Sequence, residues 1–134
     1  MTVKPSILII ENDGHLHGSL APVLHQAGYL VATTSPSAGV AKLAVVWPCD
    51  LVLIDIDELD SKGLKLASEI HRQSPEVHVL LLTGQPLSDH FLANLEDGAF
   101  DFLVKPVKPV QILDTVVDLL SHRIHPHDLP QVGW

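Results

Sequence analysis

Apolar residues in this chain come in two arrangements. Unbroken or nearly unbroken runs occupy Ile7–Ile10, Tyr29–Thr34, Leu51–Ile54, Val77–Leu82 and Phe100–Val104. Each has the length of a strand, and continuous apolar character suits a parallel strand covered on both faces. Between these runs the apolar residues recur at helical spacing. Leu16, Leu20, Val23, Leu24 and Ala27 form the first such stripe, and Gly28 closes it as a C-terminal glycine. Pro22 lies inside that stripe, where a missing N–H predicts a kink. Ser35-Pro36 predicts the start of a second helix, by a hydroxyl cap followed by proline in the first turn. That helix carries Val40, Leu43 and Ala44 and stops before Trp47-Pro48. A third helix opens at Lys62 or Gly63, buries Leu66, Ala67 and Ile70, and ends near Ser74-Pro75. Leu87, Phe91, Leu92 and Leu95 mark a fourth, broken by Gly98. Ile112, Val116, Val117, Leu120 and Ile124 mark a fifth.

Strand and helix thus alternate five times. This predicts an α/β fold: a doubly wound five-stranded parallel sheet with helices on both faces, built from right-handed crossovers. Such a sheet binds ligands at the carboxyl ends of its strands. Four strands end there in polar groups: Glu11, Asn12 and Asp13 after the first, Asp55 after the third, Thr83 after the fourth and Lys105 after the fifth. Carboxylates gathered at one edge repel one another, and a divalent cation relieves that.

The 134 residues suffice for one domain, taken as 1–124, followed by a tail or linker over 125–134 with two prolines and no periodicity. A net charge of -8 disfavours contact with a phosphate backbone, so no nucleic-acid binding is expected of this domain. No apolar run approaches a membrane span and no leader pattern is present, so no membrane association is expected. The single Cys49 forbids an internal disulfide and suits a reducing cytoplasm. It is expected to pack at the entrance to the third strand.

The polar residues at the strand ends resemble those of the response regulator receiver domain, of the CheY-like superfamily of two-component signalling. The resemblance runs from about Lys4 to Ile124 and rests on Glu11-Asn12, Asp55, Thr83-Gly84 and Lys105-Pro106 in that order. Phe102 stands three positions before the lysine, Gly98-Ala99-Phe100-Asp101 leads into the fifth strand, and Gly63 follows the loop after Asp55. The resemblance implies that Asp55 is the phosphoacceptor, charged by a sensor histidine kinase or a phosphotransfer protein. It implies Mg2+ held by Asp55, Asn12 and the backbone carbonyl of Asp57, with Glu11 holding a metal-bound water. Lys105 would neutralise a phosphoryl oxygen and Thr83 would donate to another. Phe102 would then turn inward, altering a surface made by the fourth helix, fifth strand and fifth helix, which would also serve a homodimer. By the same resemblance Asp57 and Gln85 would tune phosphate lifetime, and the Lys105-Pro106 bond is expected to be cis. The resemblance thus implies a cytoplasmic signalling phosphoprotein, not an enzyme in its own right.

The chain departs from the family pattern in three ways. Asn12 replaces a metal-binding aspartate and brings no charge, which should weaken Mg2+. Asp57 and Glu58 add negative charge where a phosphoryl group would arrive, and Lys62 stands where the family often has aspartate. The alternative is therefore a phosphorylation-independent pseudo-receiver, a protein-interaction module that keeps the fold for its shape. Asp55-Ile56-Asp57 also resembles the Asp-x-Asp of haloacid-dehalogenase-type phosphatases, but those enzymes carry it on the first strand and need a later acidic motif. No glycine-rich phosphate loop follows the first strand. Among nine histidines, His122, His125 and His127 lack the spacing of a zinc motif. His15, His17 and His25 fall on the flank of the first helix, with His15 and His17 near the pocket mouth, and His78 reads as a core histidine. His90, Asn94 and Lys108 are candidates for the output face.

Overall fold

The computed structural model describes residues 4–12, 14–37, 39–47, 49–56, 61–84 and 100–121. Its strands are β1 (Ser6–Ile10), β2 (Leu30–Thr34), β3 (Leu51–Ile56), β4 (His78–Thr83) and β5 (Phe100–Val104). Its helices are α1 (His15–Gln26), α2 (Val40–Val46), α3 (Ser61–Gln73) and α4 (Pro109–Ser121), the last being the fifth helix of the sequence reading. The fourth helix of that reading lies outside the described residues, as do Ile124 and the 125–134 tail.

The five strands form one parallel sheet in the order β2-β1-β3-β4-β5. Side chains alternate across it. Leu8, Ile10, Val52, Ile54, Val79 and Leu81 meet α2 and α3 on one face through Val40, Ala44, Leu64, Ala67 and Ile70. Ile7, Ile9, Leu51, Leu53, Leu80 and Leu82 meet α1 and α4 on the other through Leu20, Leu24, Ile112 and Val116. That two-sided burial explains why β1, β3 and β4 carry unbroken apolar runs. Among the described residues, no helix is long and apolar enough to cross a membrane.

Two local expectations are corrected. Ser35-Pro36 does not start α2. Those residues lie outside the helix, Gly39 caps it at φ +90°, and the Val40 N–H donates to the Ser37 carbonyl. A positive φ there suits glycine, and it outweighs the serine-proline signal. β3 also runs two residues further than its apolar run, because Asp55 and Ile56 pair with Leu82 and Thr83. Asp55 therefore sits within a strand, not at the start of a loop. Pro22 lies inside α1, which continues on both sides of it. Pro22 and Gly18, whose carbonyl would have received its N–H, are both exposed, so water can serve that carbonyl.

Cys49 packs where expected, buried before β3. Burial and the neighbouring Asp50 push its thiol up to about 11, so it stays protonated at neutral pH. Asp50 ties the other end of the sheet together. Its carboxylate accepts the Ser6 N–H at 2.8 Å, and its carbonyl accepts the His78 N–H at 3.1 Å.

Gly63 lies in the first turns of α3, against the end of β3. A Cβ there would come within 2.9 Å of Ile56 Cγ1 and 3.1 Å of its Cδ1. Gly63→Ala gains about 1 kcal/mol of helix propensity, but overpacking costs about 1–3 kcal/mol. A net loss of about 1 kcal/mol is expected, read as a lower urea midpoint at unchanged slope. A raised midpoint would mean that Ile56 swings aside freely.

Candidate functional site

The parallel strands bring their carboxyl ends to one edge, and two sequence-singled residues meet there directly. Lys105 Nζ donates to Asp55 Oδ1 at 2.5 Å. The Asp55 side chain is 12% exposed and that of Lys105 29%, so the pair is partly buried yet open to a small reactant. Asp55 comes from β3, and Lys105 follows β5, two strands away. β4 lies between them and fixes the spacing. The Lys105 N–H donates to the Thr83 carbonyl at 2.7 Å, and Gly84 N–H donates to the Ile56 carbonyl at 3.2 Å. The Lys105-Pro106 peptide is cis, as the sequence reading expected.

This pair lies in the wall of a cleft of about 610 Å³ between α1 and α4. Leu16, Leu82, Val107 and Ile112 supply apolar walls, and His15, Ser19, Asp55 and Lys105 supply the polar groups. Of the two histidines placed near the mouth by sequence, only His15 lines the cleft. His17 turns to β2, where its Nδ1 and Thr33 Oγ1 share a hydrogen bond of 2.7 Å.

Glu11 has a local task that the sequence reading missed. It is buried, 2% exposed. Its Oε1 accepts the Leu16 N–H at 2.7 Å and its Oε2 accepts the His17 N–H at 2.6 Å. Gly14 caps α1 at φ +73° and has no side chain to serve those donors. The carboxylate thus performs the capping from outside the helix, where the positive end of the helix dipole favours it. A signal was available: an acid just before a helix whose cap position is glycine.

Thr83 is fully buried and pairs with Ile56 and Val104. Strand alternation puts it on the α2/α3 face with Val79 and Leu81, and it does not line the cleft. Phe102 is 39% exposed on β5. Its neighbour Phe100 packs edge-on to His71, ring centroids 6.0 Å apart. Lys108 is exposed and opens α4. Gln111 Oε1 accepts its N–H at 2.7 Å, the reciprocal half of a capping box with Pro109 in the first turn. His78 is half-buried at the start of β4. Asn12 is exposed beside Glu11. Among the described residues, no three His, Cys, Asp or Glu side chains gather as a metal site. Asp13, Asp57, Gln85, His90, Asn94 and the His122–His127 cluster lie outside the described residues.

Known proteins are similar to this chain in sequence and in fold. The TorCAD operon transcriptional regulatory protein TorR of Escherichia coli O157:H7 is 32% identical over 114 residues, 85% of this chain and 49% of that protein. The aerobic respiration control protein ArcA of Escherichia coli K12 is 29% identical over 121 residues, 90% of this chain and 50% of that protein. The chain therefore spans about half the length of these curated relatives. A CheY-like response regulator receiver domain protein from Methanospirillum hungatei JF-1 superposes with a TM-score of 0.74 at 27% identity, over 90% of this chain and 97% of that one. A profile of the response regulator receiver domain matches residues 7–117, and the chain belongs to that family, as the receiver domain of a two-component response regulator.

Proposed function

We propose that this domain accepts a phosphoryl group on Asp55 from a sensor histidine kinase or a phosphotransfer protein. The observation that carries this reading is the Asp55–Lys105 pair, held at 2.5 Å in the wall of an open cleft. Asp55 Oδ2, the oxygen not bonded to lysine, attacks phosphorus. An oxygen–phosphorus bond forms, and the bond from phosphorus to the donor's leaving atom breaks. The leaving group departs with the electron pair. Lys105 then faces a phosphoryl oxygen instead of a bare carboxylate, which is the charge neutralisation such transfers need.

Magnesium suits the donor chemistry of this edge. Asp55 and Asn12 offer hard oxygen atoms, and magnesium binds through one or two carboxylates while keeping several waters. Glu11 already gives each oxygen to a helix N–H, which suits it to hold a water through a remaining lone pair. When bound, the ion adds positive charge beside the phosphoryl oxygens. Asp57, the remaining ligand that the family resemblance implies, is part of the same proposal, and so are Asp57 and Gln85 as lifetime-tuning residues.

Coupling to a surface follows from the backbone. Thr83 accepts the Lys105 N–H and pairs with Val104 on β5, the strand that also carries Phe102. A shift of Thr83 toward a phosphoryl group would move β5 with it. Phe102 already has a partly exposed position from which to turn, and the face around β5 is the output and homodimer surface in this reading. The rival pseudo-receiver reading draws on Asn12 and on the engagement of both Glu11 oxygens with α1.

Intact mass after incubation with acetyl phosphate separates the two. Wild type should gain about 80 Da, one phosphoryl group, only when magnesium is present. Asp55→Asn should gain nothing. No gain by wild type, together with no beryllofluoride binding, would establish the pseudo-receiver.

A further inference from the structure

We infer that Leu16 and Val107 form an apolar shelf for the leaving group of the phosphodonor, so that the domain prefers acyl phosphates with an apolar chain longer than acetyl over acetyl phosphate itself. The inference rests on the phosphoacceptor reading above and names a substrate class for it.

The chemistry of the transfer fixes where a leaving group goes. The attacking and leaving oxygens stand roughly in line, on opposite sides of phosphorus. Asp55 lies in the wall of the cleft between α1 and α4. A donor attacked by Asp55 therefore points its leaving group away from β3 and into that cleft. With an acyl phosphate, an oxygen–phosphorus bond forms at Asp55 and the bond from phosphorus to the acyl oxygen breaks. The acid departs as a carboxylate with the electron pair. Its carbon chain is the part that meets the cleft walls.

Those walls carry apolar carbon at two levels. Leu82 and Ile112 are fully buried and belong to the core between the sheet and the two helices. Leu16 and Val107 pack against the same core but are only partly buried. They bring apolar surface from that core to the open part of the cleft, Leu16 from α1 and Val107 from the segment between β5 and α4. Main-chain bonds hold both in place. The Leu16 N–H donates to Glu11 Oε1 at 2.7 Å. Just after Val107, the Lys108 N–H donates to Gln111 Oε1 at 2.7 Å and the Lys108 carbonyl accepts the Ile112 N–H at 3.1 Å. The shelf is thus preformed, and a chain laid on it gains apolar burial without first ordering the residues beneath. A cleft of about 610 Å³ falls within the range of about 300–1,000 Å³ that suits ligands much larger than acetyl phosphate. Acetyl phosphate offers a single methyl group to that surface.

The test compares butyryl phosphate with acetyl phosphate. Their leaving acids are of nearly equal strength, and the donors differ by two methylene groups. The rate of phosphoryl gain is followed by intact mass at low donor concentration with magnesium present. Full burial of two methylene groups would favour butyryl phosphate by roughly fifteenfold, and a shelf that covers one side of the chain should give about three- to fivefold in wild type. Val107→Thr keeps the shape of the side chain and puts a hydroxyl on the shelf, so it should bring the ratio toward unity. Val107→Ile keeps the shelf apolar and should keep the ratio. A purely structural effect of Val107→Thr would slow both donors alike and leave the wild-type ratio intact, which overturns the inference. Equal rates for the two donors in wild type also overturn it, leaving the shelf to the side chains of a protein donor and the phosphoacceptor reading standing. No phosphoryl gain by wild type from either donor overturns both.

Discussion

Replacing Lys105 by methionine should slow phosphoryl gain at Asp55 by about 100-fold or more. Methionine keeps the apolar stem and removes the ammonium. In transfers where charge develops on oxygen, removing one preorganised donor costs about 10²–10³ in rate. Lys105 is the only lysine or arginine among the described residues that line the cleft. The effect on stability should be smaller. Breaking a fully buried ion pair costs about 3–5 kcal/mol, but the Lys105 side chain is 29% exposed and water reaches the carboxylate left behind. A loss of about 1–2 kcal/mol is expected after that screening. Time courses of intact mass with acetyl phosphate and magnesium, beside urea titrations, read the two effects separately. Lys105→Arg should recover only part of the rate, because a planar fork does not reproduce a point donor at 2.5 Å. An unchanged rate in Lys105→Met would remove the lysine from the site altogether.

The fold was legible because its strands advertise themselves. Three of the five strands are buried on both faces, and their residues have no polar alternation to blur the signal. The helix boundaries were less so. Ser35-Pro36 carries a sound capping signal, yet α2 starts at Val40 because Gly39 redirects the chain at a positive φ. A local rule of that kind cannot register a turn chosen by how α2 must pack on the sheet. The end of β3 was misplaced for a different reason. Asp55 is polar and so reads as a boundary, but its backbone is still paired with Leu82. The site shows the same division. The meeting of Asp55 and Lys105 follows from strand order once the sheet is parallel. The divergence of His15 and His17 depends on helix phase, and residues two apart on a helix do not share a face. The position of Thr83 follows from strand alternation, since Asp55 lies opposite Leu82 and Thr83 opposite Ile56. Glu11 was read by its place in a family motif, and that hid its bonds to the helix behind it.

Those bonds make Glu11 the second residue with a large expected effect, this time on stability. Glu11→Ala should destabilise the domain by about 3 kcal/mol. Each hydrogen bond to a charged group contributes about 1.5–3 kcal/mol, and Glu11 accepts two of them. The favourable placement of a carboxylate at a helix N-terminus adds about 0.3–1 kcal/mol. Against this, the first turn of α1 is largely exposed, so water can recover part of what the two N–H groups lose. At about 2–8 °C per kcal/mol for a domain near this size, the melting temperature should drop by on the order of 10 °C. Glu11→Gln is the sharper test. The amide has one acceptor oxygen for two donors, and its NH2 faces an N–H. It should therefore recover less than half of the loss, because one bond survives to a neutral oxygen and the other becomes a repulsion. If Glu11 served only a metal-bound water, both variants would melt like wild type without magnesium. They would differ only when the ion is added. Thermal melts in chelator and in magnesium thus separate the carboxylate's work on α1 from any work at the phosphoryl site.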